Sequence, residues 1–161
     1  MQVRPTPSEY DEWERQVPQA LREDSLWRVQ AYRLALFASD LAATDARRLW
    51  QDRGGRVLAD QLYRAVASVS ANVAEGYSRG FGKERAHFYE YALGSAREGR
   101  DWYYKIRHTL GEETTVARFE LLNAIIRLLL RMVDDQRSRS VREHTGQYGF
   151  EPADPAHVEQ G

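Results

Sequence analysis

Several stretches of this chain hold chemically capable residues at spacings that established sites use. Glu84-Arg-Ala-His87 has the Glu-x-x-His spacing of carboxylate-bridged di-metal bundles, in which both side chains leave one helix face. Such a centre needs a second Glu-x-x-His and further glutamates; only Glu75 is placed to join, and no second copy exists. A solvated pair in the first turn of a helix is the plainer reading, so no metal site is expected. Gly76-Tyr-Ser-Arg-Gly80-Phe-Gly82-Lys83 looks like a phosphate loop, but its spacing is wrong, Glu84 follows the lysine, and a helix precedes it. An ordinary helix–helix turn fits better. Arg139 and His144 have the arginine-x4-histidine spacing of some helical ribonucleases, yet they fall in a polar tail where nothing fixes the pair, and a general base needs fixed placement first. His108, near the end of a helix, reads as a capping residue. There is no cysteine, which excludes disulfides and thiolate ligands. No catalytic residue and no cofactor is expected.

Two groups of polar residues remain. Asn72 and Glu75 lie one helical turn apart beside Val69 and Val73, where a half-buried amide or carboxylate costs several kcal/mol (roughly 2–7 for an unpaired amide) unless partnered. Ser95, or a basic residue such as Arg97 or Arg100, would satisfy them in a polar clamp that fixes helix register. Separately, Arg79, Lys83, Arg85, Arg97, Arg100 and Arg107 are concentrated between Gly76 and Leu110, with Lys105 among them and with Tyr77, Phe81, Tyr89 and Tyr103 interleaved. Basic and aromatic side chains together suit nucleic acid, through phosphate attraction and base stacking. A solvated arginine face, balanced by Glu84, Glu90, Glu98 and Asp101, accounts for the same residues, and both readings stand.

These residues need helices to hold them. In the chain of 161 residues, 42% are apolar and 29% charged, as in ordinary globular proteins. No apolar run approaches the roughly 20 residues that span a bilayer, and residues 1–10 lack the apolar core of a secretion signal, so a cytoplasmic location is expected. The net charge of −1 is unevenly spread. Residues 1–24 hold three basic and six acidic side chains, and 138–161 hold two and four, leaving 25–137 with a surplus of four positive charges. The first segment, with Pro5, Pro7 and Pro18, reads as a flexible leader containing at most a short turn over Glu9–Gln16. The last, with Gly146, Gly149, Pro152 and Pro155, reads as a disordered acidic tail.

Between them, apolar periodicity marks four helices. Trp27, Ala31, Leu34, Ala38 and Leu41 form the stripe of the first, from Ser25 to about Trp50. Leu58, Leu62, Ala65, Val69, Val73 and Tyr77 form that of the second, over about 56–78. Phe88, Ala92, Ser95, Gly99, Trp102 and Ile106 form that of the third, over about 83–110, whose interior Gly94 and Gly99 predict close backbone approach. The fourth, over about 112–137, has two seams: Phe119, Leu122, Ile126, Leu129 and Val133, and beside them Leu121, Ile125, Leu128 and Met132. Both seams must be buried, one inside the domain and one against another subunit. The expected architecture is all-α, an antiparallel up-down-up-down four-helix bundle spanning 25–137.

Leu62 to Tyr77, with Asn72-Val-Ala-Glu-Gly76 at its end, followed by Lys83-Glu84, Phe88 and Tyr91-Ala-Leu-Gly-Ser95, resembles the four helix bundle protein family. That family includes proteins encoded in intervening sequences of large-subunit rRNA genes and the accessory variability determinants of diversity-generating retroelements. The resemblance covers about residues 26–135. It implies a non-enzymatic bundle that assembles as a homopentamer; the retroelement members bind a reverse transcriptase and nucleic acid through a strongly basic surface. Here Ser70 replaces a common proline, the net charge is near zero, and both ends extend beyond the shared core. The expected function is an oligomeric adaptor contacting RNA, DNA or a reverse transcriptase. A protein-interaction module without nucleic-acid affinity is the alternative, and a helical ribonuclease is a distant third.

Overall fold

The computed structural model describes residues 7–51 and 54–147, with side chains over 9–51 and 54–140. The described residues form helices and no strand: α1 (Pro7–Gln16), α2 (Gln19–Arg22), a 3-10 turn (Ser25–Arg28), α3 (Gln30–Leu49), α4 (Gly55–Ser78), α5 (Lys83–Lys105), α6 (Arg107–Leu110) and α7 (Glu112–Gln147). The valine-rich stretch Ala65–Val73 is helical, as its four/three spacing predicts. The chain reverses at Gly54, Gly82 and Gly111, with φ of 86°, 78° and 87°, a left-handed region in which other residues carry a Cβ clash. None of these helices is long and apolar enough to cross a membrane.

The long helices share one apolar core, α3 packing on α4, α4 on α5, α5 on α7 and α7 on α3. Gly76 of α4 meets Phe88 and Tyr89 of α5, whereas Val66 meets Gly99, so these two helices run antiparallel. The bonds Arg100–Asn123 and Arg137–Glu90 establish the same for α5 and α7.

The buried faces are rotated from the expected stripes on two helices. On α3 the core takes Ala31, Ala35, Ala38, Ala42 and Ala46, while Leu34 and Leu41 are half-buried on the flank. On α5 it takes Ala86, Tyr89, Ala92, Ala96, Gly99 and Tyr103, leaving Phe88, Ser95 and Trp102 half-buried. Small residues on the inner line let neighbouring backbones approach, and larger ones close the gaps at the sides. On α7, Leu122, Ile126, Leu129 and Val133 are buried as expected, and so are Leu121 and Ile125 of the second seam. One chain therefore buries most of what was expected to need another subunit; Leu128 and Met132 are partly covered against the same core.

Both ends depart from the sequence expectation. Over its described part, segment 1–24 is helical and anchored rather than loose. The rings of Tyr10 and Trp13 lie 5.5 and 5.3 Å from that of Phe37, Trp13 stacks on Trp27 at 6.3 Å, and Trp13 Nε1 donates to Asp40 at 2.7 Å. Prolines do not prevent this, because Pro7 opens α1 and Pro18 precedes α2, positions that need no backbone N–H. Helix α3 starts five residues later than expected, since Asp24 accepts from the Leu26 N–H at 2.8 Å and caps the 3-10 turn instead. At the other end α7 continues past Ser138 to Gln147, so the start of the expected tail is helical. Residues 148–161 lie outside the described residues.

The interior glycines of α5 divide. A Cβ on Gly99 would stand 2.8 Å from Val66 Cγ2, so close approach is real there, whereas Gly94 has nothing within 4 Å. Gly99→Ala should accordingly cost about 1–3 kcal/mol through overpacking. Gly94→Ala should stabilise by about 0.5–1 kcal/mol through backbone entropy. Urea denaturation of the two variants checks the opposite signs.

Candidate functional site

The six basic residues singled out above do not form one patch. Arg79, Lys83 and Arg85 gather at the α4–α5 turn, and Arg107 opens α6 just beyond the far end of α5, about 36 Å from Lys83 at 1.5 Å per residue. Arg85 is spent on the fold. Its Nε donates to the Gly76 carbonyl at 3.1 Å, and its Nη2 to the carbonyls of Tyr77 and Arg79 at 2.8 and 2.7 Å. It thus adds side-chain donors to the carbonyls at and just beyond the end of α4, while lying over the Tyr77 and Phe81 rings. Arg79 is neutralised by Glu75 and by Glu84 at 3.6 Å, and its guanidinium lies over Phe88. Lys83 is exposed at the first position of α5. The turn is no phosphate cradle: the Gly82 N–H already donates to Gln136 Oε1 of α7 at 3.2 Å, in buried surroundings.

A different basic feature lies along the seam of α5 and α7. Arg100 Nη1 donates to Asn123 Oδ1 at 2.7 Å. Arg97 stands one turn before Arg100 on α5, and Arg127 one turn after Asn123 on α7. Antiparallel packing carries both in the same direction from that bond, with Arg131 one turn further along. Arg97, Arg127 and Arg131 are exposed and have no ion-pair partner among the described residues. Elsewhere on α5 acids cancel the bases: Lys105 pairs with Asp101 at 2.6 Å, and Glu90 pairs with Arg137. Asn123, Arg127 and Arg131 recur every four residues on α7, a signal that composition centred on α5 passes over.

At the end of this seam lies a hollow of about 480 Å³ lined by Tyr104, Arg107, His108, Gly111, Glu112, Thr115, Val116 and Phe119. Arg107 donates to the Tyr104 carbonyl at 2.8 Å and lies 4.1 Å from the centroid of the Tyr104 ring.

Asn72, Glu75 and Ser95 are not brought together. The Asn72 amide donates to the Ser68 carbonyl of its own helix at 2.9 Å, Glu75 is exposed and bound to Arg79, and Ser95 is half-buried without joining either. Asn72 and Glu75 each find a partner within reach of their own helix, so neither needs α5. The clamp exists elsewhere. Asp45 of α3, 1% exposed, accepts from Tyr103 Oη of α5 at 2.9 Å and from Arg118 Nε of α7 at 2.8 Å. Three helices meet on one carboxylate. Its only sequence signal is an aspartate in line with Ala38, Ala42 and Leu49, at four- and three-residue steps along the buried face.

Burial raises the Tyr103 hydroxyl well above its usual range, the Asp45 charge adds to this, and Arg118 opposes it. Burial and then Glu14 push Tyr10 up to about 12, and burial raises Tyr32 and Tyr89. In the unfolded chain these phenols ionise near pH 10, while in the fold they stay neutral. Their contribution is therefore intact below pH 10 and is lost as pH rises beyond it. Thermal melts from pH 8 to 11 should be flat with respect to tyrosine up to about 10 and then fall, less steeply in Tyr103→Phe.

Among the described residues no group of three or more histidine or acidic side chains could hold a metal. Glu84 pairs with Arg79, and His87 shares a hydrogen bond with Tyr91 Oη at 2.8 Å, so the Glu-x-x-His spacing serves surface contacts. His108 is exposed in α6. Arg139 is exposed on α7; the side chain of His144 lies outside the described residues.

An all-helical protein with a three-helix polar clamp and an exposed basic seam on its outer face is what these features define. The chain belongs to the 23S rRNA-intervening sequence protein family, whose sequence model matches residues 37–132. Its fold is similar to the crystal structure of a protein of unknown function from the S23 ribosomal protein family of Bacteroides thetaiotaomicron VPI-5482. The two are 18% identical with a TM-score of 0.60, over 64% of this chain and 97% of the other. No curated protein matches significantly.

Proposed function

We propose that this protein is a non-enzymatic cytoplasmic adaptor that contacts nucleic acid along the α5–α7 seam. The observation that carries this is the line of Arg97, Arg127 and Arg131, exposed and without an ion-pair partner among the described residues, beside the Arg100–Asn123 bond. Family membership favours an RNA-related setting. We read the body as an up-down-up-down four-helix bundle, which the antiparallel pairs α4/α5 and α5/α7 and the short connections support. Self-association belongs to the same reading, with a homopentamer as the form the family resemblance suggests. In a retroelement setting the adaptor would also meet a reverse transcriptase.

Fluorescence anisotropy with labelled RNA and DNA at two salt concentrations tests the proposal. Binding should weaken steeply with salt, because each neutralised phosphate releases counterions. Replacing Arg97, Arg127 and Arg131 together with alanine should lower the log–log salt slope by about two to three, at roughly 0.7–0.9 per contact. No binding at low salt would end the proposal. It would leave an interaction module without nucleic-acid affinity, the reading that the net charge of −1 and the neutralised α4–α5 turn favour.

A further inference from the structure

We infer that the hollow at the end of the seam takes an unpaired base, so that the preferred ligand is a single strand; this rests on the proposed seam. Register places the two features in line. Tyr104 stands one turn after Arg100 on α5, and Phe119 one turn before Asn123 on α7, so the hollow opens directly beside the Arg100–Asn123 bond. From there to Arg97 and Arg127 is seven or eight residues of helix, about 10–12 Å.

The chemistry of the lining favours a base over a phosphate. Tyr104 is 53% exposed and Val116 36%, large apolar residues left open to water, with half-buried Phe119 lining the same hollow. The Arg107 guanidinium lies over the Tyr104 ring and is tethered to its carbonyl, so a cation and an aromatic face are held together before any ligand arrives. Bases stack on aromatic faces with little regard to identity. Glu112 and His108 at the rim are exposed. The carboxylate repels a phosphate and accepts hydrogen bonds from a base edge, whereas the Thr115 hydroxyl is already spent on the Gly111 carbonyl at 2.8 Å. A backbone held on Arg97, Arg100 and Arg127 would thus turn its next base into the hollow. A duplex, with its bases already stacked and paired, has none to offer.

The test uses the full chain and three labelled ligands of equal length: a short oligouridine, the same strand with abasic sugars, and the duplex. The wild type should bind oligouridine at least about 5-fold more tightly than the abasic strand, the lower end of what stacking one base contributes. Tyr104→Ala should abolish that preference and Tyr104→Trp should keep it, with circular dichroism checking the helices of both. The triple arginine variant should weaken binding to all three ligands and keep the preference. Equal affinity for oligouridine and abasic strand, or a preference that survives Tyr104→Ala, would overturn the base site while leaving the seam standing. Failure of every ligand to bind at low salt would overturn the seam and, with it, the base site.

Discussion

Replacing Asp45 with alanine should lower the unfolding free energy by about 3–5 kcal/mol, the usual consequence of removing one partner from a buried ion pair. Asp45 is 1% exposed and Arg118 only 15%, so the guanidinium left behind cannot recover its hydration without opening the junction of α3 and α7. The Tyr103 hydroxyl loses its acceptor at the same moment. Tyr103→Phe removes one neutral donor and leaves the ion pair intact, so it should cost only about 1 kcal/mol. Total stabilities of about 5–15 kcal/mol make the first change a large share of the whole. Urea denaturation measures both, and a loss under 1 kcal/mol in Asp45→Ala would show that the carboxylate is not the hub of the junction. Asp45→Asn separates charge from shape, because it keeps an acceptor for Tyr103 and leaves Arg118 without its counter-charge.

Phe37→Ala should cost a comparable 3–5 kcal/mol, as is usual for an aromatic ring deleted from a core. The ring is 2% exposed, and one edge of it holds the α1 segment through Tyr10 and Trp13. Two effects are therefore combined: a cavity beside the core and release of the N-terminal helix. Trp13→Ala, at the partly buried outer side of the contact, should release α1 while leaving the core filled. Limited proteolysis distinguishes them. Cleavage within 9–24 should accelerate in both variants, whereas global unfolding in urea should shift strongly only in Phe37→Ala. Unchanged cleavage in Trp13→Ala would mean that the aromatic contacts are not what holds α1.

The two predictions probe different parts of the molecule. The family match begins at Phe37 and ends at Met132, so Asp45, Tyr103 and Arg118 lie inside the shared region. Helices α1 and α2 lie outside it, as does the end of α7. In this chain Tyr10 and Trp13 of α1 form an aromatic strap across Phe37 of α3.

The positions of α4 and of the start of α7, and the all-helical class itself, were legible because they depend on local properties. Apolar spacing of three and four, and glycines where φ must be positive, are written within a few residues of where they act. The α1 segment was underread because its anchoring rests on two aromatic residues, Tyr10 and Trp13, which meet the distant Phe37 of α3 and are too few to register as a stripe. Glu90 was counted as balancing α5 within the helix; its arginine partner, Arg137, comes from α7, 47 residues away.

By itself the sequence determined that helices form, roughly where they start and stop, and which of their residues are oily. Only the tertiary structure decided which of two adjacent faces went inside, since on α3 and α5 the inner line was chosen by how closely a neighbouring backbone could approach. It also decided which charges stayed free. Asp45 and Arg118 are 73 residues apart, and a short-range rule contains no term for a partner delivered by another helix. Pairing across helices consumed Arg118 and Arg137, local pairing consumed Arg79 and Arg85, and Arg97, Arg127 and Arg131 were left facing water.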